Sequence, residues 1–329
     1  MTKSLPIIDI SELVKNGPSA QKAADAIGEA CRDFGFFYII NHGVNATLEN
    51  KLESLSRRFF ELDPQTKMQI AMEKGGKAWR GYFPVGGELT SGEPDLKEGI
   101  YFGEELISTH PAVKAGIPLH GSNLFPSGIP DFRRTVLDYM DAMTELSHAV
   151  MRGVSLSLGL DANYFYDHFT KDPLILFRIF NYPHSTKATG WGVGEHTDYG
   201  VLTILKQDDS GGLEVKSKSD WIKAPPIPRS FICNIGDMLD RMTGGHYVST
   251  PHRVKNTSGK ARLSLPFFFD PNFYAKIQAI PIKNTHKSKN AGKERWDNVN
   301  IHEFDGTYSD YLLGKVSKVF PDLAKKELK

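Results

Sequence analysis

Apolar positions along the chain follow two periods. A short β-type run at residues 6–10 gives way to Ala23, Ala24, Ile27, Ala30, Cys31 and Phe34 at helical spacing, with Ser19 as the expected N-cap and Gly35 as the stop. Residues 36–40 are all aromatic or β-branched, which predicts a buried strand closing at the turn-type cluster Asn41-His42-Gly43. Leu48, Leu52, Leu55, Phe59 and Leu62 then restore the helical stripe. Between Trp79 and Glu104, Gly81, Gly86, Gly87, Gly92 and Gly99 interrupt any sustained period, so loop and short strands are expected there. Phe132, Val136, Met140, Met143, Leu146, Val150 and Val154 predict one long helix over 130–160. Beyond it, residues 174–270 alternate short β-rich runs with Gly, Pro and Asp clusters, the texture of an antiparallel barrel or jelly roll.

Composition narrows the class without changing this picture. The 329 residues are 40% hydrophobic and 24% charged, enough to bury a sizeable core. With 40 Lys plus Arg against 39 Asp plus Glu the net charge is +1, which excludes a field-driven polyanion binder. The lysine-rich stretch 283–295 reads as a solvated loop, so no nucleic-acid partner is expected. The apolar run 36–40 is far too short to span a bilayer, and the N-terminus carries no signal-type hydrophobic region. A cytoplasmic address away from membranes is the expectation. Cys31 and Cys233 sit among apolar neighbours and read as small buried hydrophobes. The expected organisation is an N-terminal region, 1–130, of strands and helices packed on a core at 131–329 as one cooperative unit; oligomeric state is left open.

Chemistry concentrates in the β-rich half. Gly194-Glu195-His196-Thr197-Asp198 puts an imidazole and a carboxylate two positions apart, on one face of extended backbone. Alone this is a weak signal. His252 follows 54 positions after Asp198, at the head of another β-type run. Two histidines and one carboxylate make the open facial set of non-haem Fe(II) oxygenases. Ten residues further on, Arg262 and Ser264 share a face at the start of an apolar strand. A buried arginine must be paired, and a guanidinium beside a hydroxyl suits the distal carboxylate of a dicarboxylic acid.

In this order of residues the chain resembles the iron(II)- and 2-oxoglutarate-dependent dioxygenases of the isopenicillin-N-synthase-like superfamily. Further likenesses lie in Pro6-Ile7-Ile8-Asp9, in residues 35–43, in Gly211-Gly212-Leu213-Glu214-Val215, in Asn234-Ile235-Gly236-Asp237 and in Pro251-His252-Arg253-Val254. They cover the chain up to about Phe273. Thr243-Gly244-Gly245 departs from the family pattern at a turn that holds no ligand. The resemblance implies a mainly β fold with flanking α, a double-stranded β-helix (jelly roll, cupin-like) core with an N-terminal helical region. It also implies Fe(II), 2-oxoglutarate as co-substrate and O2, with ascorbate as an accompanying reductant, and oxidation of a small-molecule substrate with release of succinate and CO2. By likeness to the family's Asn-Tyr-Pro element, Tyr182 would donate to 2-oxoglutarate. Arg178, on the same face of the predicted strand 174–182, would be a second carboxylate partner. A locally capped core tyrosine is the alternative for Tyr182.

Residues 81–92 resemble the Gly-Glu-x-x-Thr-type loop of the bacterial ethylene-forming enzyme and of plant homoarginine 6-hydroxylases. That likeness implies that Glu88 and Thr90 grip a guanidinium group beside Tyr199, with arginine or homoarginine as substrate. A planar cation with several donors suits such a carboxylate and hydroxyl. The alternative for Glu88 is a solvated loop carboxylate, and for the substrate another carboxylic acid, a nucleobase or a hormone-like metabolite. A non-catalytic ligand-binding barrel is disfavoured because no metal ligand and no Arg262 is lost.

Overall fold

The computed structural model describes residues 4–90, 92–184, 191–217, 220–282 and 300–328. The first third supplies β1 (Ile7–Asp9), α1 (Ala20–Asp33), β2 (Phe36–Ile40), α2 (Ala46–Phe60) and β3 (Gly81–Phe83). A hairpin of β4 (Leu89–Thr90) and β5 (Glu93–Pro94) precedes β6 (Glu98–Gly103) and the long helix α3 (Phe132–Ser157). Then come β7 (Leu174–Tyr182), β8 (Val193–His196), β9 (Leu202–Gln207), β10 (Leu213–Lys216), β11 (Trp221–Lys223) and β12 (Ser230–Ile235). Helix α4 (Asp237–Met242), β13 (His252–Val254) and β14 (Arg262–Asp270) complete the barrel, and α5 (Tyr308–Val319) and α6 (Pro321–Glu327) follow.

Two sheets face each other across the site. The larger runs β1-β2-β12-β9-β14-β7-β6-β3 and the smaller β11-β10-β13-β8, the jelly-roll core that the sequence implied. The outer face of the larger sheet is covered by α3, whose predicted stripe Val136, Met140, Met143, Leu146, Val150 and Val154 is buried throughout. Strand β7 is therefore apolar on one face and functional on the other. Phe177 packs against the Tyr139 ring of α3, and Arg178, Phe180 and Tyr182 look into the cavity between the sheets.

Local details depart from expectation in two places. Ser19 stands at the N-cap of α1, yet its side chain accepts no capping bond; Asn45 does that work for α2, accepting from the amides of Thr47 and Leu48. Helix α3 is shorter than 130–160, because Asp131 before it and Gly159 after it take left-handed backbone. Cys31 and Cys233 are buried free thiols, as read. The stretch 283–295 lies outside the described residues. No helix among the described residues is long and apolar enough to cross a membrane.

Candidate functional site

His196 ends β8 and His252 begins β13, and the antiparallel pairing of these strands sets the two residues directly opposite each other. Their ring centroids lie 4.2 Å apart. Asp198, just past β8, brings Oδ1 to 3.9 Å from His196 Nε2 and 3.8 Å from His252 Nε2. Hydrogen bonds dictate which atoms are presented. His196 Nδ1 lies 2.8 Å from the Gly194 carbonyl and His252 Nδ1 3.4 Å from that of Thr250. A carbonyl only accepts, so Nδ1 carries the proton and Nε2 keeps its lone pair. Asp198 Oδ2 accepts from Thr203 Oγ1 at 2.6 Å and Asn234 Nδ2 at 2.7 Å, which leaves Oδ1 to face both imidazoles.

Electrostatics support the same reading. Burial, with His196 beside it, pushes His252 down to about 4, so its imidazole is neutral at neutral pH. For Asp198 burial works against ionisation, but the two imidazoles and the bonds from Asn234 and Thr203 outweigh it and hold the carboxyl below its ordinary range. Three acceptor atoms thus converge within 4.8 Å of one another. Mutually facing lone pairs fit a divalent cation, and this donor set fits Fe(II).

Arg262 opens β14 with no exposed surface. Its Nε donates to the Gly211 carbonyl at 2.6 Å and its Nη2 to Gln207 Oε1 at 3.4 Å. Nη1 is buried with no hydrogen-bond partner among the described residues. An orphaned guanidinium nitrogen in a cavity wall costs stability unless an anion completes it, which fits a co-substrate carboxylate. The turn that offers the Gly211 carbonyl needs glycine: Gly212 has φ +97°, and a Cβ there would clash with the Lys255 carbonyl oxygen. Tyr182 is the cross-strand partner of Arg262, with its ring 4.7 Å from the guanidinium, and its hydroxyl accepts from Ser264 Oγ at 3.4 Å.

A cavity of about 630 Å³ joins these groups to every other residue singled out from sequence: Arg178, Glu88, Thr90 and Tyr199 all line it. Arg178 stacks on Tyr101, 3.4 Å from guanidinium carbon to ring centre, and donates to the carbonyls of Phe102 and Phe177 at 3.3 Å. Burial lowers its affinity for a proton. Glu88 is 8% exposed, so it is not a solvated loop carboxylate. Its Oε1 accepts from the Tyr101 hydroxyl, and its Oε2 lies 2.9 Å from Lys97 Nζ. Thr90 spends its hydroxyl on Asp95 Oδ2 at 2.8 Å. Burial pushes the Tyr199 phenol well up, so it stays protonated as a donor.

Sequence reasoning missed Lys97, Asp95, Tyr101, Asp270 and the helix α5, whose Leu312, Lys315 and Val316 line the cavity. The i, i+2 spacing of Asp95 and Lys97 just before β6 was an available signal, as was the stripe Tyr308, Tyr311, Leu312 and Val316. Asp270 is buried, and that burial raises it to about 7, against the pull of a 2.6 Å bond from the Tyr308 hydroxyl.

Comparison with known proteins decides the family. The sequence model described as the 2OG-Fe(II) oxygenase superfamily matches residues 172–271, and that of the non-haem dioxygenase in morphine synthesis N-terminal region matches 5–128. A probable iron/ascorbate oxidoreductase of Dictyostelium discoideum is 52% identical over 99% of this chain and 97% of its own length. The chain belongs to the 2OG-Fe(II) oxygenase superfamily. As members of that superfamily do, this oxygenase requires Fe(II), 2-oxoglutarate and O2. It is also similar to a 1-aminocyclopropane-1-carboxylate oxidase of Dictyostelium mucoroides, 40% identical over 99% of this chain and 97% of that one. A homoarginine-6-hydroxylase of Glycine max is 35% identical over 97% and 98%. Among solved structures, a full-length Neurospora crassa protein in complex with alpha-KG and thymine superposes with a TM-score of 0.77 at 27% identity, over 95% of this oxygenase and 96% of that chain.

Proposed function

We propose that this oxygenase hydroxylates a guanidino amino acid, arginine or homoarginine, with release of succinate and CO2. The observation that carries the reading is the buried Glu88 carboxylate in the wall of the cavity that holds the His196, Asp198 and His252 cluster. Similarity to a protein named homoarginine-6-hydroxylase supports it. In this reading His196 Nε2, His252 Nε2 and Asp198 Oδ1 hold the iron. Arg262 Nη1, with Ser264 and Tyr182 beside it, takes the distal carboxylate of 2-oxoglutarate. Bound iron would activate O2, the oxidant, for C–H hydroxylation, with 2-oxoglutarate giving two of the electrons as it is decarboxylated to succinate. The chain's own part is to orient and enclose: Glu88 fixes the guanidinium, Tyr199 packs beside it, and the two sheets exclude water from the reacting carbon.

The test is succinate release with Fe(II), 2-oxoglutarate and ascorbate, comparing arginine and homoarginine with citrulline, 1-aminocyclopropane-1-carboxylate and thymine. Stimulation by the guanidino compounds, lost in Glu88→Gln while anaerobic Fe(II) and 2-oxoglutarate titration persists, is the expected result. Stimulation by one of the other compounds alone would overturn the substrate class.

A further inference from the structure

The Glu88 carboxylate is not alone at its end of the cavity. Lys97 is 2% exposed, with its Nζ 2.9 Å from Glu88 Oε2, in contact with Asp95 Oδ2, and 4.8 Å from the centre of the Phe180 ring. A lysine buried this deeply keeps its charge only through partners, and here two carboxylates flank it. Two acids against one ammonium leave the cluster with one net negative charge. Each oxygen of Glu88 already faces one neighbour, the Tyr101 hydroxyl at Oε1 and the Lys97 ammonium at Oε2. Each keeps at least one lone pair, and two such sites side by side match a planar donor fork. The place where a point-charge ammonium would sit is filled by Lys97 itself.

We propose that Lys97 is a specificity residue: by standing between Glu88 and Asp95 it fixes the charge of this three-residue cluster at one net negative, so Glu88 accepts a single delocalised cation and refuses an ammonium. This rests on the guanidino reading above and deepens it. Other titratable groups face the cluster from neighbouring strands. These are Tyr101 on β6, Arg178 and Tyr182 on β7, and Tyr199 beyond β8. None of them supplies a second cation between the two carboxylates, because Arg178 is stacked on Tyr101 and bonded to backbone carbonyls. Without Lys97, Glu88 and Asp95 are two buried carboxylates with no cation between them, an arrangement that favours uptake of a proton in competition with the substrate's cation.

The consequence is a change in the pH dependence of KM that a merely structural lysine would not produce. The variants are Lys97→Met and the double variant Lys97→Met/Asp95→Asn, which again carries one negative charge. Each is checked for folding by its melting temperature and by anaerobic Fe(II) and 2-oxoglutarate titration. KM for arginine or homoarginine is then measured by succinate release from about pH 6 to about pH 9. Lys97→Met should show KM falling about tenfold or more as pH rises through this range, because deprotonation frees a carboxylate for the cation. In the parent and in the double variant this dependence should be absent. If Lys97→Met fails to fold, the double variant decides alone: its KM should stay within about threefold of the parent.

A flat KM in folded Lys97→Met, or a double variant that does not regain the parent's behaviour, overturns the role of Lys97. A parent enzyme that releases no succinate with any guanidino compound overturns the substrate reading and this proposal with it. The two failures are therefore distinct, since the second appears before any variant is made.

Discussion

Asp198 divides its two oxygens between two jobs, one bound by Thr203 and Asn234 and the other facing the imidazoles. The division is what makes the carboxylate a directed ligand, since a free carboxylate could rotate Oδ1 away. Asn234→Ala leaves the Thr203 bond but frees that rotation. Its Fe(II) affinity, followed by anaerobic titration, should fall by about tenfold to a hundredfold, as for other partners that orient a metal ligand. Asp198→Ala should abolish binding. Arg262 faces a similar division, with Nε on the Gly211 carbonyl and Nη1 left for an anion. A lysine has no fork and serves one of these partners only. Arg262→Lys should therefore raise the KM for 2-oxoglutarate by about tenfold or more, about 1.4 kcal/mol of lost binding, with a smaller effect on kcat.

At the scale of elements, the turn before β10 sets where that guanidinium rests. Gly212 combines a left-handed backbone with close approach to the Lys255 carbonyl, and both forbid a side chain. Gly212→Ala should cost about 1–3 kcal/mol of stability and weaken 2-oxoglutarate binding, measured by denaturant unfolding and by titration of the same preparation. Strand alternation made much of the site legible in advance. Arg262 and Ser264, and Arg178 with Tyr182, each share a face by the two-residue period alone, and the same spacing pointed to His196 with Asp198, although Asp198 lies just past the end of β8. The convergence of His196 with His252 was not written locally, because it depends on the register of β8 against β13. Lys97 escaped for a related reason: β4 and β5 are two residues each, too short to show a period, and although Asp95 is two positions away, its other partner, Glu88, lies across the hairpin. Thr90, expected to grip a guanidinium with Glu88, lines the cavity, but its hydroxyl is bound to Asp95, a bond that only the folded hairpin creates.

At the scale of the molecule, helix α5 closes what the two sheets begin. Tyr311 of α5 donates to Asp237 Oδ2 at 2.6 Å, and Asp237 also takes Ser249 Oγ at 2.8 Å, so the helix is tied to the segment that leads into His252. Tyr308 donates to Asp270 at the end of β14, and Gly200, beside the metal cluster, has no Cβ to obstruct that carboxyl. This closure depends on pH. Burial, with Asp198 nearby, lifts Asp270 to about 7, well above an unfolded aspartate near 3.8. Between those values the folded chain keeps a proton that the unfolded chain has released, so stability must fall as pH rises through the window. The contribution is complete below about pH 4 and lost by about pH 7, a difference of about 4 kcal/mol as an upper bound. Asp270→Asn keeps an acceptor for Tyr308 and removes the proton. In metal-free protein, denaturant unfolding of parent and variant at about pH 5 and about pH 7.5 isolates the term, because all other titrating groups are common to both. The parent should lose stability relative to Asp270→Asn across that interval, and parallel curves would show that this carboxyl does not titrate there.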